Sequence, residues 1–218
     1  TSPDQLLRPA RVESEDWVCP ECVHEHRFYR IGPDGAAHGA QLAQGRFAVG
    51  VWARREASLA PVVAAGAVAR GSIAEVAAAA DAVFSCVPDA PQVAEVAQAV
   101  ADGARPGLVF ADMSTIAPAA ARDIAAQLKA RGVSMLDAPV SGGEVGAIAG
   151  TLTIMVGGDQ AAFDTALPAF QAMGRSVTRV GESGAGQVAK ACNQIVTGVG
   201  VRSEERRVGK ECRSRLAP

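Results

Sequence analysis

The feature that most constrains this chain is an alternation, sustained from residue 47 to residue 201, between short β-branched runs and Ala-rich stretches of helical length. β-Branched side chains are stiff and suit strands, whereas Ala-rich stretches favour helices. Their regular alternation predicts parallel strands joined by helices that cover both faces of a sheet. Strands are expected at 47–52, 82–87, 108–112, 134–138, 152–156 and 177–180. Helices are expected at 58–65, 72–79, 91–101, 118–130 and 160–172, several of them opened by Ser, Pro or Asp and closed by Gly. The fold class this predicts is α/β with a doubly wound parallel sheet. With 218 residues, 49% of them hydrophobic, the chain can bury one sizeable core or a domain plus part of another.

Composition narrows the partners. A net charge of −2 leaves no basic surplus to neutralise a nucleic-acid backbone or an anionic membrane, so small molecules are the expected ligands. No apolar run reaches the roughly 18 residues of a membrane span. The first thirty residues lack the charged-then-apolar order of a secretion signal, and the expected compartment is cytoplasmic. Cys86 and Cys192 sit among apolar residues, where a reduced thiol packs as a small hydrophobe. Cys19 and Cys22, with His24 and His26 close behind, have the spacing of a zinc half-site. A closed site needs four ligands and usually a longer spacer before the histidines, so no metal is expected.

Both ends depart from the alternating pattern. Residues 1–30 show neither secondary-structure period and are expected to be a disordered or out-of-frame segment. Residues 202–218 follow an apolar helix abruptly, and the stretch 202–215 resembles a translated sequencing adapter; this tail is expected to lie outside the fold.

Two segments carry chemistry. In the first, Ser141, Gly142 and Gly143 follow the strand that contains Asp137, and a second strand begins a few residues later. A Ser ahead of two glycines presents a hydroxyl and unshielded backbone N–H groups, a suitable cradle for a carboxylate; a plain turn would also account for the glycines alone. In the second, Gly184 and Gly186 precede Lys190 and Asn193. On a helix Lys190 and Asn193 share a face, and Gly186, one turn earlier, leaves room for a ligand. A lysine performs general acid–base work when desolvation and neighbours lower its pKa.

Together these segments resemble the β-hydroxyacid dehydrogenase family, which includes 3-hydroxyisobutyrate dehydrogenase and tartronate semialdehyde reductase. The resemblance covers about 47–201. It implies a Rossmann-type dinucleotide-binding domain at 31–183 and the start of an interdomain catalytic helix at 184–201, without the all-helical C-terminal domain that closes the family's cleft and forms its dimer. It also implies that Lys190 is catalytic, that Ser141, Gly142 and Gly143 bind the substrate carboxylate, and that Asn193 binds the substrate hydroxyl and supports the lysine.

The same resemblance places the pyrophosphate turn at Gly32 and Gly35, although Arg30 stands where the first glycine of Gly-x-Gly-x-x-Gly belongs. Residues 33–40 can be encoded so that reading one nucleotide later yields Arg-Met-Gly-Arg-Pro-Met-Ala, the family's turn, which is compatible with a frameshift. No acidic residue follows the strand at 47–52. Arg54 occupies a position where a cation would pair with a 2′-phosphate, so NADP is favoured and NAD is the alternative. Val87 and Pro88, and Ser114 and Thr115, resemble the family's nicotinamide-side and ribose-side contacts.

The activity implied for the parent enzyme is reversible hydride transfer between NADP or NAD and a short β-hydroxy acid or its semialdehyde. A homo-oligomer is implied for the parent. The alternatives are a related imine or 6-phosphogluconate-type reductase and, from a different class, a dinucleotide-binding fragment without catalysis. The fragment reading is the one expected for this polypeptide, whose cleft would stand open to water.

Overall fold

The computed structural model describes residues 47, 49–54 and 59–214. Gly32, Gly35, the Cys19 and Cys22 cluster and the whole of 1–30 lie outside the described residues.

β1 (Gly50–Val51) runs parallel to β2 (Val68–Ala69), and the short helix α1 (Ala60–Ala64) lies between them in sequence. Val51, Leu59, Val62 and Ala67 bury against one another there. The larger sheet contains β3 (Ala82–Ser85), β4 (Val109–Asp112), β5 (Ser134–Asp137), β6 (Val140–Ser141), β7 (Leu152–Gly157) and β8 (Gly174–Gly181). β3, β4 and β5 are parallel, in a register that sets Ser85, Asp112 and Asp137 in one row at their C-terminal ends.

The helices are α2 (Ile73–Ala79), α3 (Ala90–Gly103), α4 (Pro118–Ala130), α5 (Gly143–Ala149), α6 (Gln160–Met173) and α7 (Ala185–Ser214). Their starts follow local chemistry. Ser72 accepts from the backbone N–H of Glu75 at α2, and Asp159 does the same for Ala161 at α6, each satisfying a donor that the first turn leaves unpaired. Asp89 caps α3 just ahead of a proline, whose missing N–H costs nothing there.

Alternate residues of the central strands face opposite layers. Val83, Phe110 and Met135 join the core shared with α2, α3 and α4. Phe84, Ala111 and Leu136 join the core shared with α6, in which Phe170 packs edge-on to Phe84 with ring centroids 5.2 Å apart. Apolar residues on both faces of each strand are what a sheet covered on two sides requires.

The sheet is mostly parallel and of Rossmann type, with one departure from an all-parallel arrangement. β5 and β6 both pair antiparallel with β7, in a single unshifted register from Asp137 opposite Gly157 to Ser141 opposite Thr153. They are two pieces of one line, interrupted at Pro139, which has no N–H to give. The chain turns back from Ser141 to Leu152 through α5, a link shorter than the dozen or more residues that a parallel crossover takes. α5 lies in the stretch that the sequence pattern presents as a turn, and β2 in a stretch where no strand is expected. β8 extends beyond the expected 177–180, and the α7 backbone continues through the residues of the adapter-like segment to Ser214.

Phe170 is fully buried, so Phe170→Ala is expected to destabilise the chain by about 3–5 kcal/mol. Urea denaturation measures this, and a loss under about 1 kcal/mol would show that α6 and the sheet do not share this core.

Candidate active site

Two buried carboxylates build the site from beneath. Asp112, at the end of β4, accepts through Oδ1 from Ser85 Oγ (2.7 Å), Ser114 Oγ (2.6 Å) and Ser114 N–H (3.3 Å). Ser114 Oγ in turn accepts from the backbone N–H of Val87 at 2.8 Å, so the turns after β3 and β4 are tied together. Asp112 is wholly buried and its Oδ2 has no hydrogen-bond partner. Desolvation pushes its pKa up to about 6, opposed by the hydrogen bonds from Ser114 and Ser85 and reinforced by the negative charge of Asp137.

Asp137, in the same row on β5, serves the helix that follows β8. Its Oδ1 accepts from the N–H of Gly184 at 2.7 Å and its Oδ2 from the N–H of Gln187 at 3.0 Å. The carboxylate therefore caps α7 at the positive end of the helix dipole. Desolvation raises the Asp137 pKa, against backbone hydrogen bonds that favour the charged form.

So close an approach requires glycine. A Cβ at Gly186 would collide with the carbonyl oxygens of Asp137 and Met155, and one at Gly157 would lie 2.6 Å from Asp137 Oδ1 and 2.7 Å from Gly186 N. This corrects the expectation for Gly186. The space it leaves is filled by the sheet backbone and not by a ligand.

Above this base lies a cleft of about 410 Å³ at the C-terminal edge of β3, β4 and β5. Val87, Ser114 and Thr115 form one part of its wall, Ser141, Gly142 and Gly143 another, and Lys190 reaches it from α7. Residues 103 positions apart in sequence thus meet at one opening. Gly142 and Gly143 have φ of 137° and 59°, conformations that side chains with a Cβ rarely adopt.

Lys190 is 8% exposed, and its burial lowers its pKa. Its Nζ donates to Gln194 Oε1 at 3.0 Å. Ser141 Oγ donates to Asn193 Oδ1 at 3.3 Å. The residue that touches the lysine is therefore Gln194, one helical turn on, which also lines the cleft; Asn193 meets the serine instead.

The i,i+4 spacing on a helix is a signal from which Gln194 could have been found. The cofactor-side residues differ among themselves. Ser114 is in the wall, but its hydroxyl is committed to Asp112 and Val87, whereas Thr115 is exposed. Pro88 is exposed beside Val87, outside the wall, and Arg54 is exposed after β1. Among the described residues, no group of three His, Cys, Asp or Glu is placed to hold a metal ion, and no helix is long and apolar enough to cross a membrane.

Residues 31–181 match the family model described as the NAD binding domain of 6-phosphogluconate dehydrogenase. The chain belongs to this family. Its curated relatives include an NAD-dependent L-serine dehydrogenase of Pseudomonas aeruginosa, 43% identical over 79% of this chain and 59% of the relative. They also include the 2-hydroxy-3-oxopropionate reductase of Escherichia coli, 42% identical over 62% of this chain and 48% of the relative. Among solved structures, the Mycobacterium tuberculosis 3-hydroxyisobutyrate dehydrogenase with L-serine is 35% identical, covers 76% of this chain and 57% of its own, and superposes with a TM-score of 0.71. These relatives are β-hydroxyacid dehydrogenases, as the sequence resemblance implied. The chain spans 59% and 48% of the length of these two curated relatives.

The Asp112 shift makes a prediction with a definite sign. The unfolded carboxyl titrates near the ordinary aspartate value of 3.8 and the folded one at about 6, so the folded chain holds the extra proton in that window. Stability contributed by this group falls as pH rises from about 4 to about 6, by roughly 3 kcal/mol in all. Asp112→Asn should remove the part of the slope that this group contributes. Urea titrations of the two at pH 4.5, 6 and 7.5 measure it, and parallel stability curves would refute the burial of a titrating Asp112.

Proposed function

We propose that this chain supplies the cofactor domain and the acid–base lysine of an NAD(P)-dependent β-hydroxyacid dehydrogenase. One observation carries the reading: the buried amine of Lys190 faces the same cleft as the Ser141, Gly142 and Gly143 turn and the Val87, Ser114 and Thr115 edge. The cleft opens at the C-terminal ends of parallel strands, where a dinucleotide binds in folds of this kind. The exposed Thr115 hydroxyl and the apolar Val87 side chain on its wall suit a nicotinamide riboside. Thr115 would donate to it and Val87 would pack against it, with Ser114 shaping the turn from within, and Gly32 and Gly35 would serve the pyrophosphate. When bound, the nicotinamide supplies or accepts the hydride.

The chain's own residues do the rest. The Ser141 hydroxyl and the backbone N–H groups of Gly142 and Gly143 would hold the substrate carboxylate, placing its β-hydroxyl toward Lys190. Lys190 would take the hydroxyl proton during oxidation and return it during reduction, and its lowered pKa brings the neutral amine closer to working pH. Gln194 holds the amine in place through the 3.0 Å bond. Asn193 would orient the substrate hydroxyl, together with its partner Ser141. Arg54 favours NADP, through pairing with a 2′-phosphate.

A second reading, cofactor binding without turnover by this polypeptide, is favoured by the exposure of Val188, Ile195, Val196 and Val199 along α7. An uncovered apolar helix beside the cleft leaves the substrate side open to water. The two readings separate when β-hydroxy acids are supplied to the 218-residue chain. Turnover rejects the second, whereas cofactor binding without turnover supports it.

In a form of the protein that turns over a β-hydroxy acid, Lys190→Ala should lower kcat by roughly 10²–10⁴-fold while leaving cofactor affinity nearly unchanged. Steady-state kinetics test this, and full activity in the variant would remove Lys190 from the mechanism. Arg54→Asp should weaken NADP binding more than NAD binding, since it exchanges a cation for a repelling anion. Equal losses in fluorescence titrations of NADPH and NADH would reject the assignment to Arg54.

A further inference from the structure

Gln187 is 1% exposed and lies in the first turn of α7, where the proposed mechanism gives it no part. Its side chain does not serve its own helix. Nε2 donates to the carbonyl oxygen of Ser114 at 2.8 Å, and Oε1 accepts from the backbone N–H of Ile116 at 3.1 Å. Both ends of one amide thus hold the turn that carries Thr115, more than seventy residues away in sequence.

The pairing demands a carboxamide. One contact needs a donor and the other an acceptor, so a carboxylate would face the Ser114 carbonyl with like charge and a thioether would meet neither group. The residue is anchored on its other side as well, because its backbone N–H donates to Asp137 Oδ2 at 3.0 Å. Ser114 is anchored too, through its hydroxyl to Asp112 and Val87. A closed frame results. It joins the ends of β3, β4 and β5 to the start of α7, and among the described residues Gln187 is the side chain whose hydrogen bonds bridge the cofactor-side turn and the helix.

Lys190 lies three residues beyond Gln187, on the same face of α7. The distance between the cofactor-side turn and the amine is therefore set by a rigid turn of helix and one buried amide. We infer that Gln187 is a positioning residue, whose amide fixes Lys190 of α7 relative to the Ser114 and Thr115 turn so that proton and hydride leave neighbouring atoms of one substrate. The inference rests on the assignment of Lys190 as the acid–base group and of that turn as the cofactor side. Ser114 gains a second role by it: its carbonyl receives the helix while its hydroxyl receives β3.

The test uses two variants, Gln187→Met, which keeps the length and loses both bonds, and Gln187→Asn, which is one methylene short of spanning the gap. The Lys190 amine is titrated by NMR in lysine-labelled 218-residue chain, and hydrogen exchange is followed at the Ile116 amide. In folded protein both variants should move the Lys190 titration upward, toward that of an exposed lysine, and speed exchange at Ile116. In a form that turns over a β-hydroxy acid, they should lower kcat by roughly 10- to 100-fold with little change in KM.

A fall in thermal stability alone, with the Lys190 titration and kcat per folded molecule unmoved in either variant, would show a purely structural amide and overturn the inference. Failure of the underlying reading looks different. Lys190→Ala would then retain turnover, while the Gln187 variants still displaced the lysine titration.

Discussion

The contact on which the rest of the site depends is the Asp137 carboxylate set against the start of α7. It accepts from Gly184 and Gln187, satisfying donors that a helix start cannot pair internally, and it meets the positive end of the helix dipole. Two glycines, Gly157 and Gly186, make the approach close enough. From that point α7 rises about 1.5 Å per residue, so the places of Gln187, Lys190 and Gln194 follow from where the first turn is held. The cost of burying the carboxylate shows in its raised pKa, and its backbone donors offset part of that cost.

Ser85, Asp112 and Asp137 form a polar row at the C-terminal edge of a sheet whose other buried residues on β3, β4 and β5 are apolar. A buried polar group is tolerated when it is hydrogen-bonded, and most of this row is. Asp112 Oδ2 is the exception, and the raised pKa of Asp112 accords with it. The row divides its labour: Asp112 holds the turns that carry Val87 and Ser114, and Asp137 holds the helix that carries Lys190. Both functions require strand ends to lie side by side, which the parallel register of β3, β4 and β5 provides.

Much of this was legible beforehand, for physical reasons. The strands at 82–87, 108–112 and 134–138 were readable because residues buried on both faces are mostly apolar, as in Ala82, Val83 and Phe84, Val109, Phe110 and Ala111, and Met135 and Leu136, with polar residues at the strand ends. Lys190 and the Ser141, Gly142 and Gly143 turn stood out because glycine and lysine at fixed local spacing form a recognisable pattern, and the cleft contains all four. β2 is only two residues long, too short to show a period. α5 escaped notice because its glycines read as a turn. The lack of a Cβ at Gly186 is local and legible, but the backbone of Asp137 and Met155 that takes up the space comes from strands distant in sequence.

By itself, the sequence determined what depends on near neighbours: which segments become helices or strands, where they start, and that a lysine and a glycine-rich turn belong to one dehydrogenase family. It could not show that Asp112 and Asp137 lie in one row, that Gln187 spans to Ser114 and Ile116, or that Gln194 and not Asn193 holds the lysine. The first two join residues 25 or more positions apart along the chain, and the third depends on which way the face of α7 turns toward the cleft. Tertiary structure decided them, because a buried polar atom takes whichever partner the packed sheet and helix bring within about 3 Å, and local sequence does not encode that proximity.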